Sequence, residues 1–365
     1  MPEKEKDRSW AEIDGPAIRH NLGVVREQVG SSVQIMAVIK ANAYGHGIEN
    51  VIPALSDSDL FAVANAEEAR AVRKAGGDKP ILLLGPCLPS EYASVATDSF
   101  IPTVSSADEA ESFKKAASSK NVSISFAVDN GMGRIGAWID AAAEEINHVT
   151  KIPGVTIHSV STHLPSADED EVFTKKQLEE FAAFSRAIKK EHPQILFHAL
   201  NSAGIQNFPE YAFDIVRPGL MLYGATSVPE FFDKLRPALT WKAHITLVRD
   251  IGEGRSVSYG RTFVTVSPIK AATVPVGYAD GYARQLSEQD ACVIVAGERC
   301  PVLGRVTMDQ IVVDVTGLDA KVGDEVILIG SSDEASVRAE ELAERAGTIP
   351  WHIFTGIGDR VRRIS

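Results

Sequence analysis

Cysteine is scarce in this chain of 365 residues: only Cys87, Cys292 and Cys300 occur, without CxxC spacing. An odd, unpaired set offers neither a disulfide framework nor a zinc signature, so no metal is expected and the three read as small core residues in a reducing compartment. No apolar run approaches the ~18 residues of a membrane span. The opening MPEKEKDRSW is charged and lacks the apolar stretch of a signal peptide. Self-similarity at a period of roughly 20–50 residues is absent, which excludes an obvious solenoid or propeller. Positive charge is also short. Lys+Arg number 37 against 49 Asp+Glu, a net −12, whereas a nucleic-acid binder needs a basic face and an anionic membrane repels an acidic protein. These absences predict a cytoplasmic protein with neither nucleic acid nor membrane as partner.

What is present is ordinary globular composition, 44% apolar and 24% charged, and a length that suggests about two domains. The first two-thirds alternates short apolar runs with helix-like segments. The runs cover 35–40, 60–64, 81–85, 101–105, 124–128, 155–160, 195–200 and 213–216, and most read as strands buried on both faces. Helices are expected at 66–77, which ends in Gly-Gly, and at 107–118, 140–149 and 174–193, which Pro193 closes. Eight strands alternating with helices predict an α/β fold, a (β/α)8 TIM barrel, over 11–235, with a doubly wound sheet as the alternative. From 236 to 365 the runs are separated by Gly-rich turns, which predicts a mostly-β C-terminal domain with one helix near 336–347. The N-terminal segment 8–14 is a candidate to pair with it, and the charge of the first ten residues suggests a mobile tail.

The strongest local signal is AVIKANAYGHG at 37–47, where a buried strand ends in Lys40. A lysine at the end of an interior barrel strand is costly unless paired or modified. It reads either as a Schiff-base lysine with an activated amine or as a side chain reaching past the strand end to solvent. Seven further segments follow in order: VDNGMGRIG (128–136), STHLPSAD (161–168), HALNSAG (198–204), VRPGLMLYG (216–224), VSYGRTF (257–263), VGYADGY (276–282) and GRVTMDQ (304–310). Together with the lysine motif they resemble the alanine racemases of the pyridoxal-phosphate-dependent fold type III, from about Trp10 to Arg363.

That resemblance implies an isomerase that interconverts L- and D-alanine and supplies D-alanine for cell-wall peptidoglycan. Its cofactor would be pyridoxal 5'-phosphate, held by Lys40. Racemisation takes a proton from one face of Cα and returns one to the other, so a second acid/base must stand opposite the lysine. The resemblance assigns this role to Tyr259, supplied by the partner subunit of a homodimer, with His163 and, through it, Arg217 as polar neighbours. Arg217 would face the pyridine nitrogen, where a guanidinium can donate but does not readily give up its proton, making the ring a weaker electron sink. Tyr44, Asn201, Ser202, Gly219 and Leu220 are implied around the phosphate, where loops after the last barrel strands often hold such a group. Arg134 and, through its backbone amide from the partner subunit, Met308 are implied at the substrate carboxylate, and Tyr278, Arg284, Arg305 and Asp168 along the substrate's access path.

Two positions depart from the family pattern. Many members carry a carbamate-modified lysine where Ala127 stands, so a bound anion such as chloride, or water, is expected to serve Arg134 instead. Asp359 stands where many have a tyrosine, and is expected to turn from the phosphate towards Arg360 or Arg362. Both changes leave open a broader racemase acting on serine or lysine. A pyridoxal-phosphate carrier and a barrel-type decarboxylase are further alternatives, the first disfavoured by the second domain and VSYGRTF, the second by GYADGY and MDQ.

Overall fold

The computed structural model describes residues 7–365. The part of the expected N-terminal tail at residues 1–6 lies outside the described residues. The described chain divides into two compact units, one comprising 18–43 and 52–235, the other comprising 7–17 with 44–51 and 236–365.

The first unit contains the eight expected strands: Gln34–Val38, Leu60–Val63, Ile81–Leu83, Thr103–Val104, Val122–Asp129, Val155–Ser161, Leu196–His198 and Ile215–Val216. Neighbours pair in parallel from the first to the third strand and from the fourth to the seventh. A parallel bridge from Leu82 to Ile101 joins the two groups, and the eighth strand returns to pair with the first. The last seam is closed by Asp214 N–H donating to Phe197 O (3.0 Å) and Arg217 N–H to Leu200 O (2.9 Å). This closure makes the sheet a barrel and excludes the doubly wound alternative, which has two free edges.

Helices flank the strands because each polar segment carries a start signal. Asn65 caps Ala66–Lys74 and Ser106 caps Ala107–Ala116, each accepting from the N–H of a glutamate three residues on. Glu171–Glu191 starts three residues earlier than expected because Asp170 accepts the Phe173 N–H (2.9 Å). It packs Phe181 edge-on against Phe197 of the seventh strand, centroids 5.9 Å apart. One element had no sequence signal: Ala137–Trp138, a short strand paired with the end of the fifth. Gly136 permits it, with φ +109° and a would-be Cβ 2.9 Å from Asp129 N.

In the other unit, Leu239–His244 lies between Ser9–Ile13 and Glu325–Ser331, antiparallel to both. Arg362–Ile364 adds in parallel to Ser9–Ile13, and the hairpin Cys292–Val295/Glu298–Pro301 extends the far side. A second sheet orders Leu247–Ile251, Ile269–Val274 and Ile311–Asp314. The hairpin Ser256–Val257/Phe263–Val264 carries the Tyr259–Arg261 turn. The late helix is Ala339–Ala346, followed by Pro350–Gly356.

Candidate active site

Lys40 follows the first barrel strand by two residues, at the C-terminal end where barrel chemistry resides. The backbone there turns left-handed, with φ between 52° and 55° at Ala41, Asn42, Ala43 and Tyr44. Burial lowers the Lys40 pKa, and the guanidiniums of Arg134 and Arg217 lower it further against the opposing pull of Glu68. More of the amine is therefore neutral at a given pH than in a free lysine.

Arg217 follows the eighth strand and is buried. Its Nη1 donates to His198 Nδ1 (2.6 Å), and its Nη2 donates to Thr162 O (2.8 Å), Ala199 O (2.9 Å) and, more weakly, His163 Nδ1 (3.3 Å). A guanidinium only donates, so both imidazoles accept at Nδ1 and carry their proton on Nε2. His198 Nε2–H then donates to Ser159 Oγ (3.1 Å), and Ser159 to Ser125 Oγ (3.1 Å). The result is a polar thread through the buried barrel interior that fixes the guanidinium from behind. Both terminal nitrogens of Arg217 are engaged with protein, and Nε is left for another acceptor. Burial lowers the Arg217 pKa to about 10, with Arg134 contributing, so it stays charged near neutrality. The His163 pKa is pushed down to about 3 by burial and by Arg217, Arg134 and Lys40; its ring is neutral. Sequence reading did not single out His198, Ser159 or Ser125. A serine at the same register on two neighbouring strands (Ser125↔Ser159) was the available signal.

The Arg134 loop is shaped by Asp129, which accepts the N–H groups of Gly131 and Met132 (both 2.9 Å) and Arg134 (3.0 Å). Burial raises the Asp129 pKa, but these bonds outweigh it and hold the carboxyl below its usual value. The guanidinium of Arg134 acts on Lys40, His163 and Arg217 through its charge. Ala127 is a buried methyl opposite Ser161.

Ser202 opens the short helix Ser202–Asn207, capped by Asn201 Oδ1 accepting Gly204 N–H (2.9 Å). Ser202 Oγ accepts the N–H groups of Gly219 (2.9 Å) and Met221 (3.3 Å). Gly219 N–H and Ser202 Oγ are thereby held within one hydrogen bond of each other at the end of the last two barrel strands. With both lone pairs occupied, the Ser202 hydroxyl is left as a donor. Leu220 begins the buried turn Leu220–Tyr223. Asp168 accepts from Ser227 Oγ (2.6 Å).

In the other unit, Tyr259 is 71% exposed on a turn whose neighbours Ser258, Gly260 and Arg261 all have positive φ (63°, 72° and 53°). The Arg305 guanidinium lies over Gly260, where a Cβ would come within 2.8 Å, and Ser258 Oγ donates to Arg305 O (2.5 Å). Tyr278 and Ala279 donate N–H groups to Thr307 O (3.1 Å) and Met308 O (3.0 Å), joining the GYADGY and TMDQ loops. Tyr278 and Met308 are exposed, as is Arg284. Tyr44 is buried, which raises its pKa although Trp351 hydrogen-bonds it, so the phenol remains a donor. The expectation for Asp359 is corrected: Arg360 pairs with Asp280 (3.2 Å) and Asp309 (2.8 Å), and Arg362 with Asp7 (3.4 Å). The cation on which Asp359 acts is Arg363.

No helix among the described residues is long and apolar enough to cross a membrane. Residues 13–227 match the family described as alanine racemase, N-terminal domain, and residues 238–365 its C-terminal domain. The chain is 41% identical to an alanine racemase of Halothermothrix orenii over 97% of this chain and 96% of the relative. An alanine racemase structure from Clostridium difficile 630 superposes with a TM-score of 0.91 at 33% identity, covering 98% of this chain and 95% of that one. One from Bacillus anthracis with bound L-Ala-P superposes at 0.89, with 33% identity and the same coverage. By these two domain matches and the full-length relatives, the chain belongs to the alanine racemase family.

Proposed function

We propose that this protein interconverts L- and D-alanine with pyridoxal phosphate, using Lys40 and a tyrosine from a second subunit as opposed acid/base groups. The observation that carries the reading is Lys40 itself. It is a barrel-end lysine made less basic by burial and by two guanidiniums, in a chain of this family. The residues fit the cofactor's chemistry. Lys40, Arg134 and Arg217 make the pocket cationic and suited to a dianion. Ser202 has a hydroxyl donor to offer, and Arg217 Nε–H suits a neutral ring nitrogen. Lys40 would hold the group, Arg217 would meet its ring, and Tyr44, Asn201, Ser202 and the backbone of Gly219 and Leu220 would receive its phosphate. When bound, the group supplies a conjugated ring that withdraws electrons from the substrate Cα.

The chain's own residues move the proton. Lys40 Nζ, held less basic, takes or returns it on one face. Tyr259 Oη, exposed on its strained turn, serves the opposite face of the partner's site. There His163, neutral and with its proton on Nε2, can donate to the phenolic oxygen and stabilise it when it gives up its proton. Arg217 keeps His163 in that tautomer. Arg134 and the backbone amide of the partner subunit's Met308 orient the substrate carboxylate, with chloride or water beside Arg134 where Ala127 offers no charge. Tyr278, Arg284, Arg305 and Asp168 line the approach. Each site then needs both subunits, and the homodimer is the active species. We place the enzyme in the cytoplasm, supplying D-alanine for peptidoglycan.

The test supplies pyridoxal phosphate with L-alanine, L-serine or L-lysine and quantifies each D-enantiomer. D-alanine far ahead of the rest is expected. Comparable D-serine or D-lysine would mean that the Ala127 and Asp359 changes widen the pocket. No D-product with cofactor bound would refute the reading in favour of a carrier or decarboxylase. Tyr259→Phe should slow proton exchange at one face more than at the other while cofactor stays bound.

A further inference from the structure

Four consecutive non-glycine residues at positive φ follow Lys40. Each L-residue in that region is disfavoured by about 1–2 kcal/mol, so such a run persists only where its surroundings over-determine it. Two bonds do so at its start. Ala43 N–H donates to Ile39 O (2.9 Å), and Ala41 N–H donates to Glu68 Oε1 (2.7 Å). Glu68 comes from the helix after the second strand, and its other oxygen, Oε2, accepts Ala64 N–H (2.8 Å). Its own N–H is held by the Asn65 cap (3.0 Å). One carboxylate thus links the chain just past the first strand to the chain just past the second.

Glu109 provides an internal control. It occupies the same position in the helix after the fourth strand, behind the Ser106 cap, and accepts Ser105 N–H (2.8 Å). That single local bond is what capping needs. Only Glu68 uses its second oxygen to cross to another strand, and that bond falls on the residue next to Lys40. Glu68 is also the anion that opposes Arg134 and Arg217 in their effect on Lys40.

We propose that Glu68 is the positioning residue of Lys40: its carboxylate holds the left-handed turn at Ala41 and supplies the negative charge that balances the two guanidiniums beside the amine. The inference rests on Lys40 being the reactive lysine. Glu68 touches no reacting atom, and its work is done through the turn and through its charge. The groups that act on the amine are Arg134 and Arg217 as cations and Glu68 as anion, with neutral His163 nearby.

The test uses the full-length chain. Backbone hydrogen exchange is followed in the peptide spanning 39–45, and Lys40 labelling by an amine reagent is followed against pH after cofactor removal. Glu68→Ala should speed exchange in that peptide about tenfold, as expected for loss of a charge-assisted bond. Glu109→Ala should leave it unchanged. Glu68→Gln keeps the shape and an acceptor oxygen but not the charge, so it should fold even if the alanine variant does not. It should move the Lys40 labelling midpoint to lower pH, because the anion that raises the amine's pKa is gone. A purely structural cap would loosen the helix at 66–74 without moving that midpoint. An unchanged midpoint in Glu68→Gln, with the wild type below free lysine, overturns the proposal alone. A wild-type midpoint equal to that of free lysine overturns the assignment of Lys40 and the proposal with it.

Discussion

Replacing His198 tests whether the polar thread behind Arg217 is a support for the guanidinium or only filling. His198 is 1% exposed, Arg217 5%, and Nη1–Nδ1 is 2.6 Å. Removing the acceptor leaves a buried cationic donor unpaired, which costs about 1.5–3 kcal/mol. The space left by the ring adds about 1–2 kcal/mol. His198→Ala should therefore destabilise the cofactor-free protein by roughly 2.5–5 kcal/mol by these two principles. Two near-isosteres separate the bonds. Asparagine places its oxygen close to Nδ1 and keeps the acceptor for Arg217. Glutamine reaches towards the Nε2 position and keeps only the neutral contact to Ser159. Charge-assisted bonds are about twice as strong as neutral ones, so His198→Asn should lose clearly less than His198→Gln. The assay is urea unfolding at one protein concentration, because subunit association shifts apparent stability. Glutamine equal to or better than asparagine, or an alanine variant within about 1 kcal/mol of wild type, would refute the charge-assisted account.

Three other outcomes follow from the same geometry. Lys40→Met should abolish racemisation and raise the melting temperature of the cofactor-free protein, because it removes an amine whose charged form burial and two guanidiniums disfavour; a lower melting temperature would count against that electrostatic description. The depressed His163 pKa (about 3) means the folded state resists a proton that the unfolded chain accepts. Its contribution is complete above pH ~6.5 and falls away as pH drops towards ~3, so His163→Gln should flatten the stability-versus-pH slope in that window, and an unchanged slope would contradict this. Gly277→Ala would bring a Cβ within 2.2 Å of Thr307 O, parting the loops that carry Tyr278 and Met308. We expect a loss of at least ~2 kcal/mol by overpacking, and a neutral melting curve would argue that the loops are pliable.

Much of this protein was legible before any coordinates. The eight barrel strands could be read from short apolar runs because a strand covered on both faces has no polar side to show. Lys40 stood out because a charged residue interrupts such a run at its end. Helix starts were less legible: Asp170 lies among DEDE and does not announce that it, rather than a neighbour, caps Glu171–Glu191. Asp359 was misjudged because its nearest arginines in sequence pair with Asp280, Asp309 and Asp7 from distant segments.

The sequence by itself determined the class of fold and the family, and it supplied the candidates for the reactive side chains, since periodicity and motif are local properties of the chain. Only the tertiary structure decided how those side chains are held. Barrel closure brings Ser125, Ser159, His198 and Arg217 from four different strands or strand ends into one hydrogen-bonded thread. Pairing of the first two strands brings Glu68 to Ala41. Hydrogen bonds depend on ångström distances between residues far apart in the chain, and no local pattern records those distances.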